Sequence, residues 1–139
     1  MQVVLLIGRI FFVVLFLSSA IGHLTQSDML GGYASSRGVP NGKLATQVSG
    51  VVLLLGGLSI LLGIWPDLGA LFIAAFTLSA AVLVHHYWSD PAEMKMQEQV
   101  QFNKDLALCG ASLMLFVFFS AANHALRFQV TGSLFHVHL

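Results

Sequence analysis

Residues 45–87 read ATQVSGVVLLLGGLSILLGIWPDLGALFIAAFTLSAAVLVHHY. Two uncharged apolar runs, 45–64 and 68–87, are separated only by Trp65-Pro66-Asp67. Each has the length, about 20 residues, of a helix that crosses the hydrocarbon core of a bilayer. So short a connection makes the two helices antiparallel neighbours. Ser49, Gly56 and Gly63 recur every seven residues on the first run, beside Gly50 and Gly57. The second offers Gly69, Ala70, Ala74, Ala75, Ser79 and Ala80. Lipid gives no hydrophobic drive for helix association, so small residues must let the backbones approach. Heptad spacing predicts left-handed, near-parallel crossings between them.

Working outward, 3–24 and 106–126 are two more runs of the same kind, with Arg9 the one formal charge inside the four spans. The chain of 139 residues is 57% hydrophobic and only 9% charged. Soluble domains carry about 25% charged residues, so a water-facing globule is excluded. Zero formal net charge excludes a basic nucleic-acid binder, and no nucleic-acid partner is expected. Cys109 is the single cysteine, which excludes an intrachain disulfide and any CxxC site. No basic residue precedes the first apolar run, so it reads as a true span rather than a signal peptide. The expectation is an all-α membrane protein: one antiparallel four-helix domain over 1–139 with spans 3–24, 45–64, 68–87 and 106–126.

The connections follow from turn chemistry. Loop one, 25–44, holds Gly31-Gly32, Gly38 and Pro40-Asn41-Gly42, which read as helix breakers. In loop three, Asp90-Pro91-x-Glu93 predicts a helix starting at Pro91 that runs without a break into span four. The tail, 128–139, is too short to cross again. Loops one and three share a side and carry Arg37, Lys43, Lys95 and Lys104. The positive-inside rule places that side in the cytoplasm and both termini outside.

The order and spacing of several residues resemble the DoxX family of small four-span bacterial membrane proteins. They are Arg9, Gly22-His23, Tyr33, Gly38-Val39-Pro40, Gly50 with Gly56-Gly57-Leu58, and Leu62-Gly63. His86-x-Trp88, Phe102-x-Lys104-Asp105-Leu106 and Gly110 complete the series. The chain departs from that pattern at Val52-Leu53-Leu54, where many relatives have an acid, at His23, often Lys, and at Asp105, often Asn. The resemblance implies a four-helix bundle. It also implies an association with redox membranes, because the family name derives from a subunit like part of a thiosulfate:quinone oxidoreductase.

Within this frame the candidate binding residues are Arg9, His23, Tyr33, His85 and His86. A charge inside a span faces protein, a partner or the headgroups. Arg9 could meet a carbonyl, a phosphate, a quinone oxygen or a partner carboxylate, with Asp67 the nearest acid on its side. His23 lies two heptads from Arg9, about 21 Å away in depth, so the two serve separate contacts. His23 is expected to meet His85 or His86 and the loop-one turn around Tyr33 and Pro40. Adjacent histidines on a helix diverge by about 100°, so neither haem nor a metal is expected; a quinone or bound lipid is the cofactor class considered. His124 would fall near Arg9, and His136-x-His138 has strand-type spacing. No catalytic constellation is present. The chain therefore reads as an accessory subunit of a larger redox-type membrane complex in the lipid bilayer, without activity of its own. The alternative is a quinone- or isoprenoid-lipid-binding component of a membrane oxidoreductase.

Overall fold

Turn and cap residues divide the chain into five helices in the computed structural model, which describes residues 1–122 and 125–136. They are α1 (Gln2–Thr25), α2 (Ser27–Ser36), α3 (Gly42–Leu62), α4 (Pro66–Leu83) and α5 (Ala92–Ala122). α1, α3, α4 and α5 are long and apolar enough to cross a bilayer, and the chain is an all-α membrane bundle. Pro66 occupies the first position of α4, where its missing N–H is no loss. α5 starts just after Pro91 and runs unbroken for 31 residues. At 1.5 Å per residue that is about 46 Å, longer than the roughly 30 Å hydrocarbon core. Its polar first turns therefore stand beyond the membrane.

Two expectations need correction. Loop one is not merely turns, because it contains α2. Gly31 lies within α2, and a Cβ there would fall 2.5 Å from the Lys43 Cα at the start of α3. The glycine permits backbone-to-backbone contact between α2 and α3, and that contact offsets its poor helix propensity. The third candidate span, Pro66–Ser89, is also not one α-helix as far as 87. α4 stops at Leu83, and His85 and His86 lie in the connection before a 3-10 turn at Tyr87–Ser89.

α3 is the centre of the bundle, packed against α1, α2 and α4, while α5 packs on α4. Val13, Phe16 and Ala20 of α1, Leu53 and Ile60 of α3, Ala70 and Ile73 of α4, and Phe119 of α5 form the core. The small-residue stripe on α3 divides between two neighbours. A Cβ on Gly56 would sit 3.1 Å from the Gly69 carbonyl of α4, as the short second loop implies. A Cβ on Gly57 would sit 2.7 Å from Leu17 of α1, and one on Gly50 2.9 Å from Leu24. Gly63, by contrast, ends the helix in the left-handed region at φ +68, the conformation that favours glycine at a C-cap. Large apolar side chains point outward instead, Phe11 76% and Met114 70% exposed, as a lipid solvent requires.

The described part of the tail, 125–136, folds back over one end of the bundle. Val130 N–H donates to the Leu62 and Gly63 carbonyls, and Thr131 N–H to that of Gly63 at 3.0 Å. Trp65 N–H donates to Thr131 Oγ1 at 2.9 Å. His124 and the second member of the His136/His138 pair lie outside the described residues.

Candidate functional site

The sequence candidates separate to opposite ends of the bundle. At the tail end Arg9 is 2% exposed and bonded to backbone alone. Its Nε donates to the Ile60 carbonyl at 2.8 Å, one terminal nitrogen to Leu61 at 2.7 Å, and the other to Phe128 at 2.9 Å. Ile60 and Leu61 belong to the last turn of α3, whose carbonyls have no partner within the helix. Arg9 therefore caps α3 from a neighbouring helix, with its charge at the negative end of the helix dipole. Asp67 is not its partner. That carboxylate is fully buried and accepts from the N–H groups of Leu68, Leu134 and Phe135 at 3.0, 3.0 and 2.7 Å.

At the other end, α2, packed on α3, brings Tyr33 to the overhanging start of α5. Tyr33 donates its hydroxyl to Glu98 Oε1 at 2.7 Å. His85 Nδ1 lies 2.8 Å from the other oxygen of that carboxylate, Oε2. Because Glu98 accepts from both, His85 Nδ1 carries a proton. His85 Nε2 is 3.8 Å from Asp105 Oδ2. Glu98 and Asp105 are each 5% exposed. Burial, with the hydrogen bond to Glu98 and its negative charge, pushes the Tyr33 phenol up to about 12.

Arg37 is the second hub of this end, not the exposed loop residue that its sequence context suggests. It donates to the Val84 carbonyl at 2.7 Å and, through its terminal nitrogens, to both oxygens of Asp90 at 2.5 and 3.0 Å. It also reaches His86 Nδ1 at 2.7 Å. The Arg37 bond holds Asp90 below the ordinary carboxylate range. This arginine pins the end of α4 to the connection before α5. His86, whose ring stacks edge-on against Trp88, is held in that clamp.

Tyr33 and His85 also border a cavity of about 370 Å³. Its apolar wall includes Leu15, Phe16, Leu30, Phe76 and Leu83, and its polar wall includes His23, Tyr33, His85 and Asp105. Three of the five sequence candidates thus share one chamber, whereas Arg9 and His86 lie outside its lining. His23 does not bond His85 or His86, as the sequence reading expects. Its Nδ1 is 2.7 Å from Ser49 Oγ, and its ring lies edge-on to Phe76. Ser49 donates its own proton to the Thr46 carbonyl at 2.8 Å, so it accepts from His23 Nδ1–H. The neutral ring then carries its lone pair on Nε2. Among the described residues, no group of three or more His, Cys, Asp or Glu side chains could hold a metal.

Glu98 escapes the sequence reading, and Asp105 enters it only as part of the family pattern and not as a site residue, because loop three looks like a solvated polar insert. The signal that finds them is spacing. Glu98, Asp105, Ser112 and Phe119 recur every seven residues, and all four are buried. The carboxylates continue the inward stripe of the membrane helix beyond its apolar part.

The raised phenol gives a signed pH dependence. Tyr33 contributes stability in full below its ordinary value of 10.0 and loses it as pH rises toward about 12. Alkaline titration followed by phenolate absorbance should show a step near 12 in the wild type. The step should disappear in Tyr33→Phe, and a titration finished by pH 10.5 would contradict the buried contact to Glu98.

Comparison with known proteins places these observations among relatives. The DoxX family model matches residues 4–86, which covers α1 to α4 and reaches His85 but stops short of Glu98 and Asp105. The inner membrane protein YphA of Escherichia coli K12 is 30% identical over 113 residues, 81% of each chain. The inner membrane protein YqjF of the same organism is 34% identical over 113 residues, 79% of each chain. No solved structure matches significantly.

Proposed function

The chain belongs to the DoxX family, and from that footing we propose that it binds a small lipid-soluble molecule of the quinone or isoprenoid class in the bacterial inner membrane. The observation that supports this reading is the cavity. At about 370 Å³ it falls within the roughly 300–1,000 Å³ of small-molecule sites, mostly apolar with a few convergent polar groups. The names of the relatives YphA and YqjF, both inner membrane proteins, support the location. The association with redox membranes that the resemblance implies supports the ligand class.

The test is occupancy. Protein purified in lipid nanodiscs should carry an extractable prenyl or quinone lipid, detected by mass spectrometry. Ala80→Phe, which fills the cavity from α4, should reduce retention about tenfold without unfolding the bundle. Equal retention in both proteins would put the lipid elsewhere and reject the cavity as its site.

A second reading, an accessory subunit of a larger redox-type membrane complex, has support of a different kind. Gly8 on α1 and Gly110 on α5 would carry a Cβ into open space. Exposed glycines on membrane helices suit the close approach of another helix. We also keep loops one and three on the cytoplasmic side. A cysteine at Ser36 or Gln99 should then react with a membrane-impermeant maleimide only from the inner face, and labelling of both from outside would reverse the orientation.

A further inference from the structure

The cavity is open on one side, and the lining residues that stay exposed mark where. They are Leu15, Ser79, Leu83 and Lys104, whereas every lining residue of α2 and α3 is buried or half-buried. The four belong to α1, α4 and α5, so membrane-spanning helices frame the mouth. Packing leaves the gap there. α1 rests on α3 and α2, and α5 rests on α4, but among the described residues α1 makes no comparable backbone approach to α4 or α5. The helices meet across it through side chains, as His23 meets Phe76 edge-on. Leu83, the last residue of α4, and Lys104, whose Nζ is 3.5 Å from Asp105, mark the polar edge of the mouth. Leu15 marks the apolar edge. It precedes the end of α1 at Thr25 by ten residues, about 15 Å along the helix and half the depth of a hydrocarbon core of roughly 30 Å. The water-facing end is shut instead. α2 covers it with Leu30, Tyr33 and Ala34, and two fastenings hold it. Tyr33 bonds Glu98 at 2.7 Å, and Arg37, just beyond the helix, bonds Asp90 and the Val84 carbonyl.

We infer that the cavity opens sideways into the bilayer between α1 and the α4–α5 pair, and that its ligand is a long-chain lipid that enters head first and leaves its chain in the membrane. This deepens the binding reading above and rests on it. Size agrees with such a ligand. An apolar cavity of about 150 Å³ takes a benzene ring, so one of about 370 Å³ holds a ring head and the first carbons of a chain but not a polyprenyl tail. Polarity gives the direction. Tyr33, His85 and the Lys104–Asp105 pair stand at one end and offer both donors and acceptors to a head. Toward the middle of the membrane the mouth is bordered by Leu15 and by Ser79, whose hydroxyl is already spent on the Ala75 carbonyl. A chain leaving past these residues passes from protein to lipid without exposing its apolar surface to water.

The experiment is photo-crosslinking to the full wild-type chain in lipid nanodiscs. The probe is a benzoquinone carrying a decyl chain that ends in a diazirine. Insertions that excess unlabelled decylbenzoquinone competes away should map, by peptide mass spectrometry, to α1 and α4 around Leu15 and Ser79. They should exceed those on α2 by at least about tenfold. A kinetic measurement accompanies the map. In Ser79→Trp, which narrows the mouth, the probe should associate about tenfold more slowly than in the wild type. Val82→Trp, exposed on the same helix but outside the lining, should leave the rate unchanged. Should Ser79→Trp fail to fold, the map in the wild-type protein decides. Competed insertions at Leu30 or Ala34 of α2, or an unslowed association in folded Ser79→Trp, would overturn the lateral mouth while leaving a binding cavity intact. No competed insertion anywhere in the lining would overturn the cavity reading and this inference with it.

Discussion

Replacing Arg9 with methionine should destabilise the protein by about 3–5 kcal/mol, the largest effect expected of any single substitution at a charged position. The side chain is 2% exposed, and its three bonds end on the carbonyls of Ile60, Leu61 and Phe128. Methionine fills much of the volume but leaves these carbonyls buried without donors. Each orphaned group costs about 1–3 kcal/mol. Melting in detergent should fall by roughly 10 °C for a chain of this size. Arg9→Lys should recover only part of the loss, because a single ammonium cannot reproduce the planar fork that joins the end of α3 to the tail. The residue lies outside the cavity lining, so variant protein that remains folded should bind ligand with unchanged affinity. An unaltered melting temperature would refute the cap; lost affinity in folded protein would return Arg9 to the binding site.

The role of Arg9 shows where sequence reasoning reaches and where it stops. That a guanidinium inside a span avoids open lipid follows from solvation energy alone, but the sequence reading looks for its partner in a ligand, a headgroup or another protein, and the structure supplies the chain's own backbone carbonyls instead. Which carbonyls they are depends on the end of α3 and on a tail that returns to it, and no periodicity encodes either. The four spans were legible because lipid imposes a length and an apolar composition on each. α2 was hidden because Gly31-Gly32 reads as a break, and the reason for Gly31 is the α3 backbone against it. Depth along the spans correctly grouped His23 with His85 at one end. It could not distinguish His85, which borders the cavity, from His86 in the Arg37 clamp. That choice is made by the backbone after Leu83, where the helix has already ended.

Asp67→Ala should release the tail. The carboxylate is fully buried at the start of α4, where the helix dipole favours an anion. It gathers the N–H groups of Leu134 and Phe135 from 67 and 68 residues away. Hydrogen bonds to a charged group contribute about 1.5–3 kcal/mol each. These two end on the separate oxygens of one carboxylate and are not additive, so the expected loss is about 2–4 kcal/mol. The tail makes a more direct reporter than global melting. Ser133 is 8% exposed, and its hydroxyl donates to the Phe119 carbonyl. A cysteine at 133, in a Cys109→Ala background, should therefore react slowly with maleimide. Removal of the Asp67 carboxylate should raise that rate by about tenfold or more, since the remaining bonds, from Arg9 to Phe128, from Val130 and Thr131 to Leu62 and Gly63, and from Trp65 to Thr131, all hold the tail before residue 133. Asp67→Asn should give an intermediate rate, because its one carbonyl oxygen can accept while its amide opposes the second N–H. A labelling rate that does not respond to either substitution would show that packing, including Phe116 against Phe135, seats the tail without the carboxylate.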